Sequence, residues 1–158
     1  MDKTCYFLHG LESSSQGTKG RWFDEHFPNM IVPDFKGTLE ERLTQLDQLC
    51  GDGKDLLFVG SSFGGLMATV YASRHPLACR RLILLAPALN YDGYVPPEKP
   101  IQVPTLLVIG RHDTVTPPDR VVPLAEKSFA DIEIRVEDDD HMLHNMFPAL
   151  DWSLLLGK

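Results

Sequence analysis

Ser62 stands at the centre of Gly60-Ser61-Ser62-Phe63-Gly64-Gly65, with a glycine two residues away on either side. That G-x-S-x-G spacing suits a nucleophile on a sharp strand-to-helix turn, in which Gly60 and Gly64 make room for the backbone. Such a turn strains its central residue and lifts the hydroxyl above a sheet, at a helix N-terminus whose dipole favours developing negative charge. Without partners Ser62 would be only a helix N-cap. A serine nucleophile needs a base and a carboxylate to orient that base. Asp113 follows Gly110-Arg111-His112, and His141 follows the acidic run 137–140. Ser62, Asp113 and His141 therefore come in the order Ser, Asp, His, each just beyond an apolar, strand-like segment. That order occurs in hydrolytic triads.

Other residues compete for these roles. His144, three residues after His141, is the rival base, although a short helical turn there would make it a surface or capping histidine. His112 adjoins Asp113, but neighbours in a loop usually point apart. Asp139 and Asp140 belong to a run of four acids, which reads as a solvated face. His9 is expected to brace the loop after the first strand, and His26 and His75 to sit at helix ends, where positive charge is favourable. His141, His144 and residues 138–140 form an H-x-x-H cluster near carboxylates, but there is no H-E-x-x-H spacing and no supporting cysteine pair. No metal and no organic cofactor is expected. Gly17-Thr18-Lys19-Gly20 lacks the glycine spacing of a phosphate loop and reads as a loop leading into a helix.

The elements that must hold these residues alternate. Strands are expected at Thr4–Leu8 (TCYFL), Met30-Ile31-Val32, and residues 56–59, 82–86, 105–109 and 132–136. Helices are expected over 18–27, from Thr38 to Gly51, over 62–75, near 118–129 with Pro123 inside, and over 148–155. Thr38 and Glu41 form a capping box, and Leu39, Leu43, Leu46 and Leu49 an apolar stripe. Segments 56–59, 82–85 and 106–109 are continuously apolar, as parallel strands covered on both faces must be. Segment 131–137 alternates instead, with Ile132, Ile134 and Val136 inward and Glu133, Arg135 and Glu137 outward. That period fits an edge strand. The fold class is α/β: one domain over residues 1–158, a three-layer sandwich on a mainly parallel six-stranded sheet. Ligands bind such sheets beyond the carboxyl ends of the strands, where the three candidate residues fall.

Four segments, FLHGLESSSQGTK, GSSFGG, LLVIGRHDTVTP and DDDHML, span nearly the whole chain. Together they resemble a compact serine esterase of the α/β-hydrolase superfamily, similar to the small YqiA-type bacterial esterases. The resemblance implies that His9-Gly10-Leu11 is the oxyanion loop, with the Leu11 and Phe63 amides as the two oxyanion donors. It also implies sheet order 4-3-5-6-7-8 in the family's usual numbering, without the N-terminal hairpin. Only residues 87–102 separate the strand at 82–86 from the next, too few for a helical cap. Pro87, Pro96, Pro97 and Pro100 should stiffen that loop, and Tyr91 and Tyr94 are free to line an open site. The expected substrate is a small-molecule carboxylic ester, short-chain for want of a cap. A thioesterase or lysophospholipase-like hydrolase on the same triad is the alternative. A non-catalytic binding domain of this fold would have no use for all three residues.

Composition bounds the rest. The 158 residues carry 22 acidic and 15 basic side chains, a formal net charge of −7. Nucleic-acid binding needs a clustered basic face, so no such partner is expected. The longest apolar runs are too short to span a bilayer, and no leader precedes the first strand. Cys5, Cys50 and Cys79 are odd in number and widely spaced, which suggests packed thiols in a reducing, cytoplasmic setting. Composition does not give the oligomeric state.

Overall fold

The computed structural model describes residues 3–157. Five strands, β1 (Thr4–Leu8), β2 (Leu56–Ser61), β3 (Cys79–Leu85), β4 (Thr105–Gly110) and β5 (Ile132–Glu137), lie side by side in chain order, each pair parallel. Successive side chains of a strand point to opposite faces, and both faces are covered. Leu56 and Phe58 belong to the core shared with α2 (Leu39–Cys50), α3 (Phe63–Arg74) and α4 (Pro118–Ser128) on one side. Leu57 and Val59 belong to the core shared with α1 (Thr18–His26), α5 (Met146–Ala149) and α6 (Trp152–Gly157) on the other. The result is three layers with a core on each side of the sheet. The second core is aromatic: Phe23 packs edge-on against Phe147 and Trp152, which ties α1 to the last two helices. No described helix is long and apolar enough to cross a membrane.

The expected sixth strand, Met30-Ile31-Val32, shrinks to a single parallel bridge between Ile31 and Tyr6. Ile31 exchanges two hydrogen bonds with β1, giving to the Cys5 carbonyl and accepting from the Phe7 amide, each at 2.9 Å. Pro33 has no N–H to continue the ladder, so pairing stops there. The bridge still lies on the outer side of β1, so the expected spatial order survives with one strand reduced.

Local chemistry accounts for the helices. Thr38 Oγ1 accepts from the Glu41 amide while Glu41 Oε1 accepts from the Thr38 amide, closing the capping box. Leu43 and Leu46 are buried, but Leu49 is about half exposed and Cys50 takes the inward place at the end of the stripe. The expected helix over 148–155 divides at Leu150 into α5 and α6. On β5, Val136 is exposed rather than inward, because the strand outruns the helices that cover Ile132 and Ile134. Arg135 folds along the same strand to reach Glu137 at 3.1 Å. All three cysteines are free thiols, with Cys50 buried and Cys5 and Cys79 partly so.

Candidate active site

The turn after β2 has the backbone that its glycines suggested. Ser62 adopts φ 54° and ψ −114°, a left-handed conformation that a residue with a side chain avoids unless its surroundings impose it. The surroundings do so through four hydrogen bonds: the Ser62 amide gives to Leu85 O, and the Ser62 carbonyl accepts from Gly65 and Ala88, each of these at 2.9 Å, and from Leu66 at 3.2 Å. A Cβ on Gly60 would strike the Gly64 backbone, and one on Gly64 would overlap the Leu8 carbonyl. Both glycines are therefore required by close approach. The helix that follows begins at Phe63, whose amide has no acceptor within the first turn.

Beside this turn runs the loop after β1. Leu8 lies opposite Gly60 in the parallel register, so His9, Gly10 and Leu11 emerge next to Ser61 and Ser62. A methyl added to Gly10 would sit 3.7 Å from Ser62 Cβ. His9 is buried and clamped at both nitrogens: Nε2 accepts from the Phe35 amide at 2.9 Å, which leaves Nδ1–H to give to Gly10 O at 2.7 Å. Sequence reasoning missed Arg42, which is also buried. Its Nη2 donates to Leu11 O at 3.2 Å, its Nε to Gly37 O at 3.0 Å, and its guanidinium lies 5.2 Å from the centre of the Phe63 ring. One side chain thus touches both residues expected to supply oxyanion amides. Neither amide, that of Leu11 or of Phe63, gives a hydrogen bond to another described residue.

Asp113 and His141 come from the loops after β4 and β5. The two loops run together because Gly110 has no Cβ to push away the carbonyls of Asp139 and Asp140. Asp113 is fully buried at its side chain and accepts four hydrogen bonds. Oδ1 takes the Val115 and Thr116 amides at 2.8 and 2.7 Å, and Oδ2 takes Thr116 Oγ1 at 2.7 Å and His141 Nδ1 at 2.7 Å. With four donors converging on it the carboxyl serves only as an acceptor here, so the contact places an N–H on His141 Nδ1, while Nε2 has no hydrogen-bond partner among the described residues.

The rival histidines point elsewhere. His144 Nδ1 meets Asp140 at 2.6 Å on the surface, and this contact holds the Asp140 carboxyl below its ordinary range. His112 turns out to Asp138 at 2.7 Å. Asp139 is no solvated acid: it is buried and accepts from the amides of Asp140, Asn145 and Met146. His26 stacks on Trp22, and His75 ends α3 beside Asp47.

Ser62 and His141 line one cavity of about 750 Å³ together with His9, Gly10, Leu11 and Phe63. No hydrogen bond joins the Ser62 hydroxyl to the His141 ring among the described residues; the two share walls of the same space. Such bonds often tighten only once substrate is present. Leu11, Tyr91, Val115 and Met142, each about half exposed, form an apolar rim. Tyr91 comes from the loop 87–102, as expected, and leans edge-on against Phe63. Tyr94 does not line the cavity. It turns inward, its hydroxyl 2.6 Å from Ser128 Oγ, because Ser128 at the end of α4 supplies the partner that a buried phenol needs.

Solved structures of similar shape share this architecture. A putative hydrolase of the alpha/beta superfamily from Xanthomonas campestris superposes with a TM-score of 0.79 at 23% identity, covering 99% of this chain and all of the other. Est1E from Butyrivibrio proteoclasticus, solved with ferulic acid bound, gives 0.73 at 15% identity over 99% and 86% of the two chains. A monoacylglycerol lipase from Paleococcus ferrophilus gives 0.70 at 16% over 97% and 93%. No curated protein matches the chain. The sequence profile of the alpha/beta hydrolase fold matches residues 13–102, more than half of the chain. With the strained serine turn and the parallel sheet that carries it, this match places the chain in the α/β-hydrolase family.

Proposed function

We propose that the protein is a serine hydrolase that cleaves carboxylic esters through an acyl-enzyme. The observation that carries this reading is the 2.7 Å contact between His141 Nδ1 and a buried, four-fold hydrogen-bonded Asp113, with His141 lining the same cavity as Ser62. His141 Nε2 takes the Ser62 proton as the hydroxyl attacks the ester carbonyl, and Asp113 stabilises the resulting imidazolium. The oxyanion collects at the Leu11 and Phe63 amides, aided by the N-terminus of α3; one such donor is worth about 3–4 kcal/mol in related chemistry. His141 then returns the proton to the departing alcohol. Water, activated by the same ring, attacks the acyl group and frees Ser62. The residues need no metal or organic cofactor for any of these steps.

Short-chain esters suit a site without a cap. The cavity and rim favour a second reading, in which longer acyl esters, thioesters or lysophospholipid-like substrates lie across the apolar mouth. A space of about 750 Å³ belongs to the upper part of the range of small-molecule sites. Treatment with a fluorophosphonate probe and with p-nitrophenyl acetate tests the chemistry. Wild type is expected to label and turn over, and Ser62→Ala to lose label and at least about 10³-fold in kcat. A wild type that does neither, or an equally active mutant, overturns the proposal. A chain-length series of acyl esters and acyl thioesters separates the two substrate readings.

A further inference from the structure

Lys19 is the least expected residue near the cavity. It stands in the first turn of α1, lines the cavity, and is only 8% exposed. Burying an ammonium is costly unless it gains strong partners. Lys19 has no carboxylate within ion-pair distance among the described residues. Its Nζ donates instead to a main-chain carbonyl, Met142 O, at 2.6 Å, and lies 5.4 Å from the centre of the Phe147 ring. An apolar side chain would fill the same space at lower cost, so the retained charge calls for a reason beyond packing.

The position of Met142 supplies one. Met142 directly follows His141, and Lys19 reaches it from a residue 123 positions earlier. The loop carrying both has little regular structure, and Leu143 within it is held at φ 54°. Asp139 fastens the far side of the loop through the Asn145 and Met146 amides. On the cavity side Lys19 fastens it. The base of α1 is a firm anchor, since Gly20 packs so closely on the Ser15 carbonyl that a Cβ would not fit.

We propose that Lys19 is a positioning residue for His141: its hydrogen bond to Met142 O fixes where the imidazole stands over Ser62. This inference rests on the hydrolase reading above. The charged groups that act on Lys19 are Asp139 and Asp140, on the loop it holds, and the titratable His141 and Glu12 line the same cavity. Burial lowers its amine to about 8 despite the pull of the two aspartates. The tether therefore passes from charged to neutral in a range where rates are measurable.

The test compares wild type, Lys19→Met and Lys19→Gln in the full chain. It records kcat and KM for p-nitrophenyl acetate from pH 6 to 9.5, with melting temperature alongside. Lys19→Met is expected to lose about ten-fold or more in kcat at pH 7, with KM within two-fold and melting little changed. Lys19→Gln, which keeps a donor, should recover part of that loss and remains comparable if Lys19→Met does not fold. As pH rises through about 8 the Lys19 bond passes from charge-assisted to neutral, so the kcat ratio of wild type to Lys19→Gln should shrink, whereas a purely structural lysine would leave that ratio constant. An active wild type beside an equally active Lys19→Met overturns this inference alone. So does a rise in KM at constant kcat, which would make Lys19 a substrate contact. So does a loss of kcat that only follows a loss of folded protein. A wild type that neither labels nor turns over ester overturns the hydrolase reading and this inference with it.

Discussion

Thr116 has more influence on Asp113, the proposed orienting acid, than its plain side chain suggests. Its amide and hydroxyl hold both oxygens of Asp113, and the hydroxyl also stands 3.2 Å from His141 Nδ1 and 3.3 Å from Ala86 O. Thr116→Val keeps the shape and the amide but removes the hydroxyl. A hydrogen bond to a buried charged group contributes about 1.5–3 kcal/mol, so urea unfolding should show a loss of that order. kcat should fall as well, because Oδ2 loses the hydroxyl that shares with His141 in holding it; unchanged kcat would detach Thr116 from the chemistry. The sequence held a local signal for this contact, since Asp113-Thr114-Val115-Thr116 suits a turn in which the aspartate caps the amides ahead of it. It held none for Arg42 or Lys19. Their partners, Leu11 O and Met142 O, lie far away along the chain, and only the folded sheet brings them together. The strained turn at Ser62 was legible because its needs are local: two glycines and a strand before it.

At the scale of elements, the crossing of β2, α3 and β1 sets the backbone at Ser62, the proposed nucleophile. Gly64 lets the first turn of α3 rest on the end of β1, next to the Leu8 carbonyl. Gly64→Ala forces the helix or the strand to move, and overpacking costs about 1–3 kcal/mol, with the upper end expected against backbone. A lowered urea midpoint together with weakened fluorophosphonate labelling is the expected result; a stable, fully labelled variant would show that the crossing has slack. The strands were readable for a related reason. Parallel strands buried on both faces leave unbroken apolar runs, and β2, β3 and β4 have them. The segment at Met30-Ile31-Val32 looked equally apolar, but only Ile31 pairs and Pro33 ends the ladder. Hydrophobicity marks what is covered, not how many hydrogen bonds follow.

For the whole molecule, burial of titratable groups sets a limit in alkali. Burial raises the Cys79 thiol from 9.0 to about 12, and burial with a nearby Cys50 raises the Tyr6 phenol from 10.0 to about 12. Cys5, Cys50, Tyr71 and Tyr94 shift the same way, burial again the first cause. The unfolded chain releases these protons first. The folded state therefore keeps their full contribution below about 9 and loses it as pH climbs toward 12. Lys19 acts in the opposite sense: its lowered value means that folding gains as pH rises between about 8 and 10.5, but one group opposes six. Urea midpoints at pH 7.5, 9 and 10.5 should fall through the upper interval, and Cys79→Ser should flatten the slope. A midpoint that holds to pH 10.5 would contradict the reading.

The loop over 87–102 is moored at few points. Ala88 N donates to Ser62 O, Asn90 Nδ2 to Val115 O at 3.1 Å, Tyr94 meets Ser128, and Ile101 bridges to Phe129. Between the second and third moorings, residues 91–93 form an exposed apex, with Gly93 at φ 98° in open space. This apex is a ready place for grafting. Exposed loop tips accept inserted chain, and each doubling of loop length costs only about 0.6 kcal/mol in closure entropy. A helical hairpin spliced in here would roof the apolar rim while every mooring stayed in place. The same scaffold could then be given new selectivity by changing a segment that contributes no catalytic side chain.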